Sequence, residues 1–159
     1  LKKFDFFACV GHNGIREKVH SQLSQYLGNP INAIHPSAVI SASVKMGDGV
    51  MIAANSTLNP LVPIGQGVIC NTSTSIDHEC VIGDFSHIAP GAVLCGNVMV
   101  GKGTFIGANS VVRQGIKIGS NVIIGAGTVV VKDIPDNATV IGNPARQLVK
   151  KPSRKLVAA

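Results

Sequence analysis

The chain has 159 residues, 45% hydrophobic and 14% charged, which suits one compact domain with a small appendage. Aromatics make up 4% with no Trp while Gly numbers 18, so a core of Val, Ile and Ala around many tight turns is expected, and a helical bundle is not. The formal net charge is +6, but five of the fourteen basic residues (Arg146, Lys150, Lys151, Arg154 and Lys155) fall in the last fourteen positions, a local tail rather than the basic face that nucleic acid requires.

No apolar run approaches the roughly 18 residues a membrane span needs, and no signal-peptide pattern is present, so a soluble cytoplasmic protein is the expectation. Cys9, Cys70, Cys80 and Cys95 show no C-x-x-C spacing and are read as reduced thiols.

In chain order, Phe4 to Val10 is a short apolar run with strand character. Gly11-His12-Asn13-Gly14 follows, then a helical-looking segment, Ile15 to Leu27, with Ile15, Val19, Leu23 and Leu27 on one face. Strand, Gly-rich turn and helix make half of a βαβ unit. The opening LKKFDFFACVG reads as the middle of a larger N-terminal unit.

From Ile34 to Val130 every sixth residue belongs to one set, and sixteen of these seventeen positions are aliphatic, Cys70 being the exception. Four residues after each stands Ala, Ser, Thr, Cys, Val or Ile, from Ala38 through Ile134. A period of six fits neither an amphipathic helix nor an alternating strand; it fits a hexapeptide parallel β-helix. Three hexads close a triangular coil of eighteen residues, so residues eighteen apart stack at roughly the 4.8 Å strand spacing, and 34–135 holds nearly six coils. The first residue of each hexad then points inward, and Gly and Asn at the corners let the backbone turn with positive φ. Asp133-Ile134-Pro135-Asp136-Asn137 breaks the period; a last strand, Ala138 to Ile141, leads to Gly142-Asn143-Pro144-Ala145-Arg146 and the basic tail.

These hexads, with IDHECVIG (76–83), Phe85-Ser86-His87, Asn71-Thr72-Ser73 and the closing VIGNPARQL (140–148), resemble bacterial hexapeptide-repeat acyltransferases. The likeness is to the group of sialic acid O-acetyltransferases and UDP-4-amino-sugar (UDP-N-acetylbacillosamine) N-acetyltransferases. It covers most of the chain. The resemblance implies a left-handed β-helix, a homotrimer with active sites at subunit interfaces, acetyl-CoA as donor with no metal, and a UDP-amino-sugar held by an N-terminal Rossmann-like domain. The expected division is 1–33, the later part of that Rossmann-like domain, truncated; 34–135, the β-helix acyltransferase domain; and 136–159, a cap strand and basic tail.

Acetyl transfer needs a proton acceptor for the nucleophile and a donor for the developing oxyanion, and His suits the first because its pKa of about 6.5 lies near working pH. His78 and Glu79 occupy the third and fourth positions of their hexad, away from the inward Ile76, at an outward corner. The resemblance carries the catalytic base onto His78 and the acidic helper onto Glu79. On the residues alone Asp77 fills the helper role equally well, and an ordinary solvated corner is the alternative for all three. One coil above His78 stands Gly96, which leaves space beside the imidazole for the thioester and offers a backbone N–H to its carbonyl oxygen. The resemblance also places the oxyanion donor there; a plain corner turn is the alternative.

His87, nine residues after His78, lies on a different corner, and the resemblance assigns it and Asn71 to acceptor binding. His12 either contacts the nucleotide or has no ligand role. Ala108 and Ala126, one coil apart on another corner column, are small enough for pantetheine to run past them, and Arg146 with Lys150 and Lys151 can meet CoA phosphates. Small corners and a solvated basic tail are the plain alternatives.

Four functions are weighed: N-acetylation of a UDP-4-amino-sugar, O-acetylation of a sialic acid or related sugar, zinc-dependent hydration, and a non-catalytic β-helix module. The zinc reading lacks a His-x4-His pair.

Overall fold

The structure, a computed structural model, describes residues 4–148. It is a left-handed parallel β-helix fronted by one α-helix, Asn13–Tyr26. Seventeen two-residue strands, Ala33–Ile34 through Val129–Val130, recur every six residues, and a hairpin of Thr139–Ile141 and Arg146–Gln147 closes the last coil. The strands assemble into three sheets of eight, six and five strands, here called the first, second and third faces of a triangular prism.

The register confirms the eighteen-residue coil: Ile69 pairs with His87 and His87 with Phe105, while Ser75 pairs with Val93. Each strand's second residue points inward, so Ile52, Leu58, Ile76, Ile82, Ile88, Leu94, Ile106 and Ile124 are fully buried in stacked ladders. At about 25 cal/mol per Å² these ladders supply the main driving force. At the open lower end the pattern weakens, and Ile34 is 45% exposed because no coil lies beneath it. The last coil contracts to sixteen residues, with Ile123 facing Thr139, and the Asp133 carboxylate accepts from Lys117 N where a coil carbonyl would otherwise stand, while Asp136 accepts from Ser120 N as Asp84 does from Gln66 N lower on the same corner.

The fourth position of the hexads is where the chain turns. Asn55, Leu61, Ser73, Glu79, Phe85, Asn97, Asn109 and Asn121 all take φ between 54° and 62° there. Asn tolerates this left-handed backbone; Leu, Glu and Phe do so at a cost.

Two expectations for the front of the chain need correction. Phe4 to Val10 forms no extended strand: Phe6 makes one isolated bridge to Pro30, because no second strand lies beside it among the described residues. The helix starts at Asn13 and buries Arg16 and His20, whereas Ile15, read as part of an apolar face, is 53% exposed. The surface it meets is the corner between the third and first faces, rich in backbone carbonyls, and such a surface takes donors rather than methyl groups. Asn13 Nδ2 donates to Gly103 O (2.9 Å), Arg16 to Gly67 O and Phe85 O, and Glu17 pairs with Lys102. The final strand begins at Thr139 rather than Ala138.

Candidate active site

The corner between the second and third faces carries Asp77, His78 and Glu79, between strands Ser75–Ile76 and Val81–Ile82. Asp77 and Glu79 have separate partners. Asp77 Oδ1 accepts the His78 backbone N–H (2.8 Å) and Asn59 Nδ2 (2.9 Å), two bonds that hold the shorter side chain against its own corner. These bonds, the His78 N–H foremost, hold the Asp77 carboxyl below the usual carboxylate range. Glu79, at φ 60°, instead brings Oε2 to 3.1 Å from His78 Nδ1. The two side chains are 50% and 58% exposed, so the pair contributes little to stability; its effect is to orient the ring, with Nδ1 on the carboxylate and Nε2 free.

Gly96 stands one coil above, as expected, with a sharper reason for being glycine. A Cβ there would lie 2.6 Å from His78 Nε2, so the imidazole itself occupies the side-chain space. Gly96 O accepts from Gly115 N and His78 O from Asn97 N, which locks the two corners in stack. Among the described residues the Gly96 N–H has no acceptor, leaving a donor beside Nε2.

A second cluster lies on the first face. His87 is half-buried, its ring edge-on to Phe105 at 5.1 Å. Its Nδ1 lies 3.4 Å from Gly11 O and its Nε2 3.2 Å from Asn71 Nδ2. Burial, reinforced by the Arg16 charge and opposed by the Gly11 carbonyl, pulls the His87 pKa below the usual histidine range. The ladder His87, Phe105 and Ile123 floors a groove of about 610 Å³ whose wall is Gly11 to Gly14. His12 lines this groove, but its Nδ1 accepts from Ile15 N (3.3 Å) as the helix N-cap, a structural task that the sequence reading did not assign.

Ala108 and Ala126 stack on the corner between the first and second faces, with Gly127 N donating to Ala108 O. Arg146 is exposed on the closing hairpin, where among the described residues its Nη1 reaches only the Pro144 and Ala145 carbonyls. Lys150 and Lys151 lie outside the described residues. His35 is tied locally to Ser37. Cys70 and Cys80 are buried in the prism, and burial pushes the Cys70 thiol up to about 12, far from reactive.

The residues therefore form two clusters rather than one: His78, Glu79 and Gly96 on one edge, and Asn71, His87 and His12 on the face opposite that edge. Sequence reading missed Arg16, Phe105 and Asn59. The eighteen-residue stack points to Phe105 and Asn59 from His87 and Asp77; Arg16 has no comparable signal, since its partners are carbonyls distant in sequence.

The coil architecture defines a hexapeptide-repeat transferase, and residues 97–132 match the family described as bacterial transferase hexapeptide (six repeats). GDP-perosamine N-acetyltransferase of Escherichia coli O157:H7 is 34% identical over 158 residues, covering 96% of this chain and 71% of that protein. The crystal structure of PerB from Caulobacter crescentus in complex with CoA and GDP-perosamine superposes with a TM-score of 0.90 at 39% identity, over 91% of this chain and 70% of that one. The acetyltransferase domain of PglB from Neisseria gonorrhoeae, in complex with acetyl-CoA, gives 0.88 at 40% identity over 91% and 71%. The chain belongs to the hexapeptide-repeat sugar N-acetyltransferases and is an acyltransferase.

Proposed function

We propose that this chain transfers the acetyl group of acetyl-CoA to the amino group of a sugar carried on a nucleoside diphosphate, with His78 as general base. The observation that carries this reading is the His78–Glu79 pair stacked against Gly96. Nε2 takes a proton from the amine as its nitrogen attacks the thioester carbonyl; Glu79 stabilises the imidazolium through Nδ1–H. The Gly96 N–H donates to the oxyanion, and the CoA thiolate leaves with the proton held by His78. The relatives named for GDP-perosamine favour an amine acceptor over the hydroxyl of a sialic acid.

UDP is the nucleotide the sequence likeness suggests, whereas those relatives are named for GDP. We assign Asn71, His87 and the 11–14 turn to the acceptor, residues 1–33 to the sugar-nucleotide-binding part, and Ala108, Ala126 and Arg146 to CoA. Because one chain holds the two clusters on opposite sides, a complete site takes His78 from one copy and His87 from another, which supports a homotrimer.

The test is CoA release from acetyl-CoA with UDP- and GDP-linked 4-amino sugars and their hydroxyl counterparts, for wild type and His78→Ala. The expected result is amine-dependent turnover that falls at least about 100-fold in the variant. Full activity in a folded His78→Ala assembly would remove the base from the mechanism.

A further inference from the structure

Arg16 is 1% exposed, yet among the described residues no carboxylate pairs with it; burial lowers its pKa to about 10, so it remains a cation at neutral pH. The guanidinium is held by oxygen dipoles. On the prism side Nε donates to Gly67 O (2.7 Å), and Nη2 to Phe85 O (2.8 Å) and Ser86 O (3.3 Å). On the other side Nη1 donates to Val10 O and Gly11 O (both 3.0 Å), and Nη2 to Asn13 Oδ1 (3.0 Å). One planar fork thus joins the Gly-rich turn to the backbone residue that precedes His87. A lysine, with a single nitrogen, cannot span both sides.

The turn depends on this fork. Nothing lies within 4 Å of where a Gly11 Cβ would stand, so packing does not place Gly11, and its carbonyl is held by Arg16 and met by His87 Nδ1. A carbonyl only accepts, so His87 must carry its hydrogen on Nδ1. The other end agrees: Asn71 Oδ1 accepts from Thr72 N (2.8 Å), which turns Asn71 Nδ2 toward His87 Nε2 as a donor. Both ends require the neutral Nδ1–H tautomer, with Nε2 as an acceptor.

We propose that Arg16 is a positioning residue of the acceptor groove, which fixes the Gly11 carbonyl and through it the tautomer and neutral state of His87, so that Nε2 accepts from Asn71 and the ring is held on the floor of the groove that receives the amino sugar. The proposal rests on the acceptor role assigned to His87 above. The charged or titratable groups facing His87 are Arg16 from the helix and His12 from the turn; Asn71 and Phe105, from the strands on either side, bring none.

The test combines imidazole 15N–1H correlation spectra with steady-state kinetics for wild type, Arg16→Lys and Arg16→Gln. The wild type is expected to show His87 as Nδ1–H across neutral pH. In both variants that signature is lost, and the KM for the amino sugar rises at least about tenfold while that for acetyl-CoA stays within about twofold. An Nε2–H tautomer in the wild type, read without any variant, would overturn the positioning role even if the variants fail to fold. Retention of the Nδ1–H signature in the folded variants would overturn it as well. Loss of the signature with an unchanged amino-sugar KM would overturn the acceptor role of His87, and with it the functional half of the proposal.

Discussion

Glu79 meets two demands that conflict. The corner asks for a residue comfortable at φ 60°, and equivalent corners use Asn55, Asn97, Asn109 and Asn121. A glutamate there costs on the order of 1 kcal/mol in backbone strain, and in return sets a carboxylate on His78 Nδ1. Glu79→Asn is therefore expected to leave thermal stability unchanged or raise it by up to about 1 kcal/mol, while kcat falls at least about tenfold. Calorimetric unfolding beside turnover checks both halves, and a variant as active as wild type would dismiss the carboxylate as a helper. That His78 projects outward was legible from its place in the hexad. The choice between Asp77 and Glu79 was not, because both carboxylates lie within reach of the ring, and only the bonds from His78 N and Asn59 Nδ2 remove Asp77 from contention.

At the level of elements, the prism was legible because each of the seventeen repeat strands is two residues long and each corner between them the same length, so a phase read anywhere among them holds throughout. It slips only at the last coil, where the Asp133 carboxylate stands in for a backbone carbonyl. The helix was misread at its face, since an apolar stripe is the usual docking surface and this helix docks through donors to carbonyl-rich corners. His20 completes that dock. Its ring sits edge-on between Phe6 and Phe85 with Nε2 unpartnered, and a Cβ on Gly49 would meet that atom at 2.7 Å. Burial lowers its pKa, against a smaller opposing pull from Asp48. The neutral ring is thus the docked form: stability is complete above the ordinary histidine pKa of about 6.5 and is lost as pH falls toward the depressed folded value. Protection factors of the helix amides, corrected for intrinsic exchange, are expected to fall as pH drops below about 6.5, before those of the prism amides respond. His20→Leu should shrink that step, with the remainder belonging to His87, whose pKa moves the same way. An unchanged step in His20→Leu would show that His20 does not control the dock.

For the molecule as a whole, the triangular section of the prism decides which groups can meet. The half-coil between His78 and His87 separates them, but His87 lies in a strand of the first face rather than on the different corner expected of it, and the His78 edge is the one opposite that face. If the two clusters serve one reaction, as proposed above, they do so between copies. Mixing distinguishes this from a site complete within one chain. His78→Ala and His87→Ala assemblies, each inactive alone, are dissociated, combined in equal amounts and reassociated. A shared site regains an intact pair whenever a copy with His78 neighbours, in the right order, a copy with His87. Random assembly makes this about one interface in four, so about a quarter of wild-type turnover is expected. Two half-sites within one chain would give none, since every chain in the mixture lacks one histidine.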